Sequence, residues 1–154
     1  MRWIVGPLVG LSVSVTSPCS AEPFSALGNP PGRVGIFDEG SRIRTNANVT
    51  GIYFDIRRDE MSDGTQYQEI FAEFNCEKSK FRILKLTDRR LDGTEVRSTK
   101  TKSGWSELGK DNRIITRACA SEAGEILLDG KGQPLQMWAL LVAAIGGMRD
   151  GKFK

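Results

Sequence analysis

Histidine is absent from this sequence. That absence removes Ser-His-Asp and Cys-His catalysis and nearly every zinc site, because each needs an imidazole as base or ligand. Cysteine is scarce, with only Cys19, Cys76 and Cys119 in the chain, too few and too scattered for a metal centre. No glycine-rich phosphate loop follows a strand pattern, and Gly130 with Gly132 is too sparse to count as one. There is no internal repeat, no low-complexity tract and, beyond the first 21 residues, no apolar run long enough to span a bilayer. Carboxylates such as Glu69 and Glu73 alternate with apolar neighbours, which marks a solvated strand face rather than a catalytic pair. No cofactor is implied, and the reading is non-enzymatic.

What is present begins with an export signal. Met1-Arg2 supplies a positive start, Trp3 to Val15 an apolar run, and Thr16 to Ala21 a polar exit with small residues at Cys19 and Ala21. The expectation is cleavage after Ala21, with residues 1–21 as signal peptide. The apolar run would span only about 20 Å as a helix, short of the roughly 30 Å hydrocarbon core, so it does not read as a permanent anchor. Cys19 is the one candidate for lipidation, but Pro18 and Thr16 stand where a lipoprotein signal wants a small residue and a Leu-like one. Removing Arg2 from 22 basic residues leaves 21 against 19 acids, a balance of +2. That is too mild to point to nucleic acid. Cys76 and Cys119 remain as an even pair, which in an exported chain reads as one disulfide. A reactive thiol would need an oriented base that the chain does not offer. A staple closing a loop of about 44 residues contributes about 4 kcal/mol as an upper figure.

Residues 22–32 are Pro- and Gly-rich and read as an extended lead-in. Strand patterns follow: Arg33 to Phe37, ending at a turn-like Asp38-Glu39-Gly40-Ser41, then Asn48 to Arg58 with Ile52, Phe54 and Ile56 on one face. The stretch up to Cys76 turns Ile70, Ala72, Phe74 and Cys76 inward, and Lys80 to Asp88 comes next. Asp63-Gly64 and Asp92-Gly93 are hairpin signals. After Asp111 the period changes. Ile114, Ile115, Ala118 and Cys119 recur at helical spacing behind an Asp or Asn cap. A second helix is expected from Pro134 to Gly146, ended by Gly146-Gly147. The expected fold is α+β: an antiparallel meander with C-terminal helices packed on one face or end. The domain occupies residues 33–133, and residues 134–154 add an apolar helix and basic tail.

Nine basic residues lie between Lys78 and Lys102, opposed only by Asp88, Asp92 and Glu95, so this region carries +6. Lys80, Arg82, Lys85, Arg89, Arg90, Arg97 and Lys100 are the candidate contacts for an anionic partner: a sulfated glycan, lipopolysaccharide phosphate or an acidic protein surface. The alternative is a solvated sheet face guarded by lysines against edge pairing. Single-stranded nucleic acid would want aromatics among the charges, and Phe81 points inward. The second helix is apolar nearly all round. It reads as core, as a homodimer interface through residues 134–146, or as a membrane-surface contact aided by Arg149, Lys152 and Lys154.

Residues 48–120 resemble the surface-adhesin protein E family. The block "FNCEKSKFRILKLTDRR", the Gly93 turn, "GWSEL" (Gly104 to Leu108) and "NRIITRAC" carry the likeness, over about half the mature chain. The resemblance implies a small exported bacterial envelope protein with an antiparallel sheet and a packed helix. It implies that Cys76 and Cys119 are the disulfide pair and Trp105 the structural tryptophan. It implies an adhesin-like binding module for extracellular host proteins, in the periplasm or on the outer surface of a Gram-negative cell. The poor lipidation signal and the added tail helix depart from the family pattern. A periplasmic carrier of a small ligand, or a small enzyme, using a cleft between sheet and tail helix, is the alternative.

Overall fold

The computed structural model describes residues 24–28, 31–101, 103–109, 112–122 and 136–151, with the side chains of residues 25–28 and 138 excepted. The export signal with Cys19, Lys102, the start of the second helix at Pro134, and the tail lysines Lys152 and Lys154 lie outside the described residues.

Seven antiparallel strands form one sheet in chain order: β1 (Phe24–Gly28), β2 (Arg33–Thr45), β3 (Asn48–Arg57), β4 (Tyr67–Asn75), β5 (Lys80–Arg89) and β6 (Glu95–Lys100). The short β7 (Ser106–Glu107) pairs with the start of β5, on the edge that β6 leaves free. Two helices follow, α1 (Arg113–Cys119) and α2 (Met137–Arg149). This is the expected α+β meander. Both Asp-Gly hairpin signals do what their chemistry predicts. Gly64 and Gly93 take left-handed φ values of 87° and 86°. Beside them, the carboxylates of Asp63 and Asp92 accept the N–H groups of Thr65 and Thr94.

Four expectations need correction. The lead-in is itself a strand: β1 pairs with β2, and Phe24 is fully buried. The turn expected at Asp38 to Ser41 is an irregularity inside one long strand. Pairing with β3 runs to Asp38↔Ile52 and resumes at Ile43↔Thr50. Side chains replace the missing ladder there. Asp38 accepts the N–H groups of Gly40 and Ser41, and the Ser41 hydroxyl accepts the N–H of Ile52 at 2.7 Å. Burial raises the Asp38 pKa, against the pull of those two N–H groups.

The third correction concerns layers. The helices lie on opposite faces of the sheet. α2 packs Leu140, Leu141, Ala144, Ile145 and Met148 against Phe24, Val34, Ile36, Phe54, Ile56 and Tyr67. α1 packs Ile115 and Ala118 against Phe37, Tyr53, Ile70, Ala72 and Phe74. The alternation expected within each strand is correct, but Phe54 and Ile70 serve different cores. Fourth, α2 does not stop at Gly146-Gly147. It runs to Arg149 because Met148 continues the buried stripe. Burying one more large apolar side chain, worth about 1.5–3 kcal/mol, outweighs the roughly 1 kcal/mol cost of a mid-helix glycine.

α1 is short and is held by partners rather than by propensity. Asn112 caps it by accepting the N–H of Ile114 at 3.0 Å. At its other end Arg42 and Arg44 of β2 donate to the carbonyls of Ala120 and Cys119 at 2.7 and 2.9 Å, satisfying helix-end acceptors. The buried Glu39 carboxylate pairs with Arg42 and Arg117, tying the β2 irregularity to the helix. The disulfide between Cys76 and Cys119, with Cα atoms 5.6 Å apart, joins the end of β4 to the end of α1, as expected.

Candidate functional site

The α2 core takes no member from β5 or β6. Where it stops, the same face of the sheet turns charged, and β4 and β5 place acids against bases. Glu73 opposes Arg82, with Arg82 Nη2 2.5 Å from Glu73 Oε2. Glu69 lies diagonally across from Arg89, with Nε 2.7 Å from Oε2. Burial works against the Arg89 charge, but the Glu69 carboxylate outweighs it and holds the guanidinium pKa above its ordinary value. The acids read as a solvated strand face are therefore counter-ions, and cross-strand register is the signal that pairs them.

Lys85 lies between these two ion pairs. Ile83 faces Ala72 and Lys85 faces Phe71, so Leu84 is an extra residue in β5. Strict alternation would put Lys85 beside Ile83, over the α1 core. The bulge re-aims it onto the α2 face. There it stands directly opposite Lys100 of β6. Among the described residues neither lysine makes an ion pair. The hydroxyls of Thr87 and Ser98, 3.4 Å apart, are the next cross-strand pair on this face.

The seven candidate contacts thus divide. Lys80 pairs with Glu107 at 3.3 Å, at the surface. Arg82 and Arg89 belong to the ion pairs above. Arg97 lies on the opposite face, donating from Nε and Nη2 to the buried Asp88 carboxylate at 3.0 and 2.6 Å, while Gln68 donates to its other oxygen. Arg90 sits exposed in the β5–β6 turn beside Gly64. Lys85 and Lys100 are the two that the fold brings together without a carboxylate partner among the described residues.

A second feature lies at the start of β5 on the same face. Asn75, Lys78, Lys80 and Trp105 line an open recess of about 200 Å³. Trp105 is at the surface, 39% exposed, and belongs to neither core. The Arg82 guanidinium lies over its ring, 4.7 Å from the centroid. Glu73 holds Arg82 in place and also accepts from Asn48 Nδ2 at 2.8 Å. Asn75 donates to Asn48 Oδ1 and accepts the Lys78 N–H, which shapes the turn before β5. In that turn Ser79 takes a left-handed φ of 51°, and its carbonyl accepts the N–H of Leu108. Lys78 and Asn75 were not legible as site residues, since only the hairpin brings them beside a tryptophan some 30 positions later.

At the sheet–helix junction, where the alternative reading placed a cleft, Leu140, Leu141, Ala144 and Ile145 pack against the sheet. No helix among the described residues is long and apolar enough to cross a membrane. Comparison with protein-family models, curated proteins and solved structures gives no match to this chain.

Proposed function

We propose that this chain is an exported, non-enzymatic binding module of a bacterial envelope, which takes an anionic partner on the α2 face of β5 and β6. The carrying observation is the bulge at Leu84, which sets Lys85 opposite Lys100 with no counter-ion among the described residues. Like charges directly opposite on neighbouring strands destabilise a sheet, and an anion bound between them relieves the repulsion. The Ser98 hydroxyl alongside, exposed on β6, offers a further donor to an oxyanion, while that of Thr87 is buried behind it. The disulfide supports an oxidising compartment. The resemblance of residues 48–120 to the surface-adhesin protein E family supports an adhesin-like role at the periplasm or cell surface. The filled sheet–helix junction favours a surface binder over a carrier with a central cleft.

Titration of the disulfide-intact protein with dextran sulfate, by calorimetry at several salt concentrations, tests this. Binding is expected to weaken steeply with salt. Lys85→Ala with Lys100→Ala should lower the affinity at least tenfold, with circular dichroism unchanged. Affinity equal to that of the unaltered protein, or no binding at low salt, would overturn the reading.

A further inference from the structure

We infer that the recess lined by Asn75, Lys78, Lys80 and Trp105 is a subsite for one ring of an acidic sugar, so that the anionic partner is a glycan. This rests on the binding role proposed above and narrows it to a substrate class. The recess joins two chemistries that acidic sugars carry together. An indole offers a flat apolar surface that fits the C–H face of a pyranose and an N–H that can donate to a hydroxyl, while the Asn75 amide, bonded to Asn48 and to the Lys78 N–H, shapes the wall. Lys78 and Lys80 both line the recess. Lys78, which forms no salt bridge among the described residues, offers its ammonium group to a carboxylate or sulfate, whereas Lys80 is shared with Glu107 at 3.3 Å and a bound acid competes with that carboxylate. The Arg82 guanidinium lies over one face of the ring, 4.7 Å from its centroid, and is not among the residues that line the recess.

The platform is built rather than incidental. Asn48, Glu73, Arg82 and Trp105 form a connected chain of hydrogen bonds and stacking. The lysine-bearing turn is held by Asn75 and by the backbone bond from Cys76 N–H to the Ala47 carbonyl. An exposed tryptophan fixed in this way loses little freedom on binding. Along β5 the recess at its start and the Lys85–Lys100 pair at its middle share one face, with the Arg82–Glu73 ion pair between them. A linear chain of acidic sugars would meet the indole first and the lysine pair several residues further on.

The test is titration with a sulfated uronate-containing hexasaccharide, followed by the indole N–H resonance of Trp105, assigned with Trp105→Phe. A neutral hexasaccharide and an inorganic polyphosphate of matched charge are the comparisons. The acidic hexasaccharide should shift that resonance saturably, and Trp105→Ala should weaken binding at least tenfold, Trp105→Phe about threefold or less. Lys85→Ala with Lys100→Ala should weaken binding but leave the Trp105 shift at saturation. If polyphosphate binds as tightly and Trp105→Ala changes nothing, the sugar subsite falls while the anion-binding reading stands. Equal binding of the neutral hexasaccharide overturns the acidic requirement. No binding by any polyanion overturns both.

Discussion

Two side chains show how closely the interior is tuned around α1. Gly51 of β3 faces this core, and a Cβ there would lie 2.6 Å from Cζ of Phe37, which is fully buried. Gly51→Ala therefore forces a ring out of its packed position, at about 1–3 kcal/mol. An unchanged denaturation midpoint would mean the Phe37 ring has room to move. Beside it, burial and then the Asp55 charge push the Tyr53 hydroxyl from its ordinary 10.0 up to about 12. The unfolded chain ionises first, so the stability tied to this group is complete below pH 10 and lost as pH rises through 12. Stability should fall across that window, less so in Tyr53→Phe. Burial raises Tyr67 as well. Tyrosinate absorbance of the folded protein should therefore lag that of the denatured chain, and coincident curves would refute the burial-driven shift.

At the scale of elements, α2 is half of a core rather than an appended tail. Leu141 is fully buried against strands from the other end of the chain, so Leu141→Ala should cost about 2–5 kcal/mol. Removing residues 136–154 should expose Val34, Ile36, Phe54 and Ile56 together and yield an aggregating chain, read by light scattering. A stable folded monomer would show the helix to be dispensable. Alternation within β3 and β4 was legible because period two is local. Which face each strand gave to which helix was not, because that depends on register. Nor could composition reveal that β2 survives its Asp38–Ser41 irregularity, where two side chains replace ladder bonds. The same limit governs the site. The charges of β5 are plain in the sequence, but Leu84 decides the face on which Lys85 stands, and cross-strand pairing decides which charges are already neutralised. A bulged leucine looks like any other apolar residue until its partner strand is known.

At the scale of the molecule, one sheet serves two cores that, among the described residues, meet through the strands they share. β2 gives Val34 and Ile36 to the α2 core and Phe37 to the α1 core, and β3 divides in the same way. The disulfide constrains the α1 side alone, since it joins the end of β4 to the end of α1. The α2 core contains neither half-cystine. Loss of the bond should therefore act unevenly. Reduction frees a loop worth about 2–4 kcal/mol of constraint on the unfolded chain, and the opening it permits should begin where the bond held the structure. Amide exchange on the reduced protein should quicken first in α1 and in the turn between β4 and β5, while α2 and the first half of β3 keep their protection. That turn carries Lys78 and abuts Trp105, so the sugar recess should loosen with it, and hexasaccharide affinity should drop on reduction more than dextran sulfate affinity at Lys85 and Lys100. Uniform acceleration over both cores would instead make the sheet a single cooperative unit, in which β2 and β3 transmit the loss of the staple to α2 undiminished.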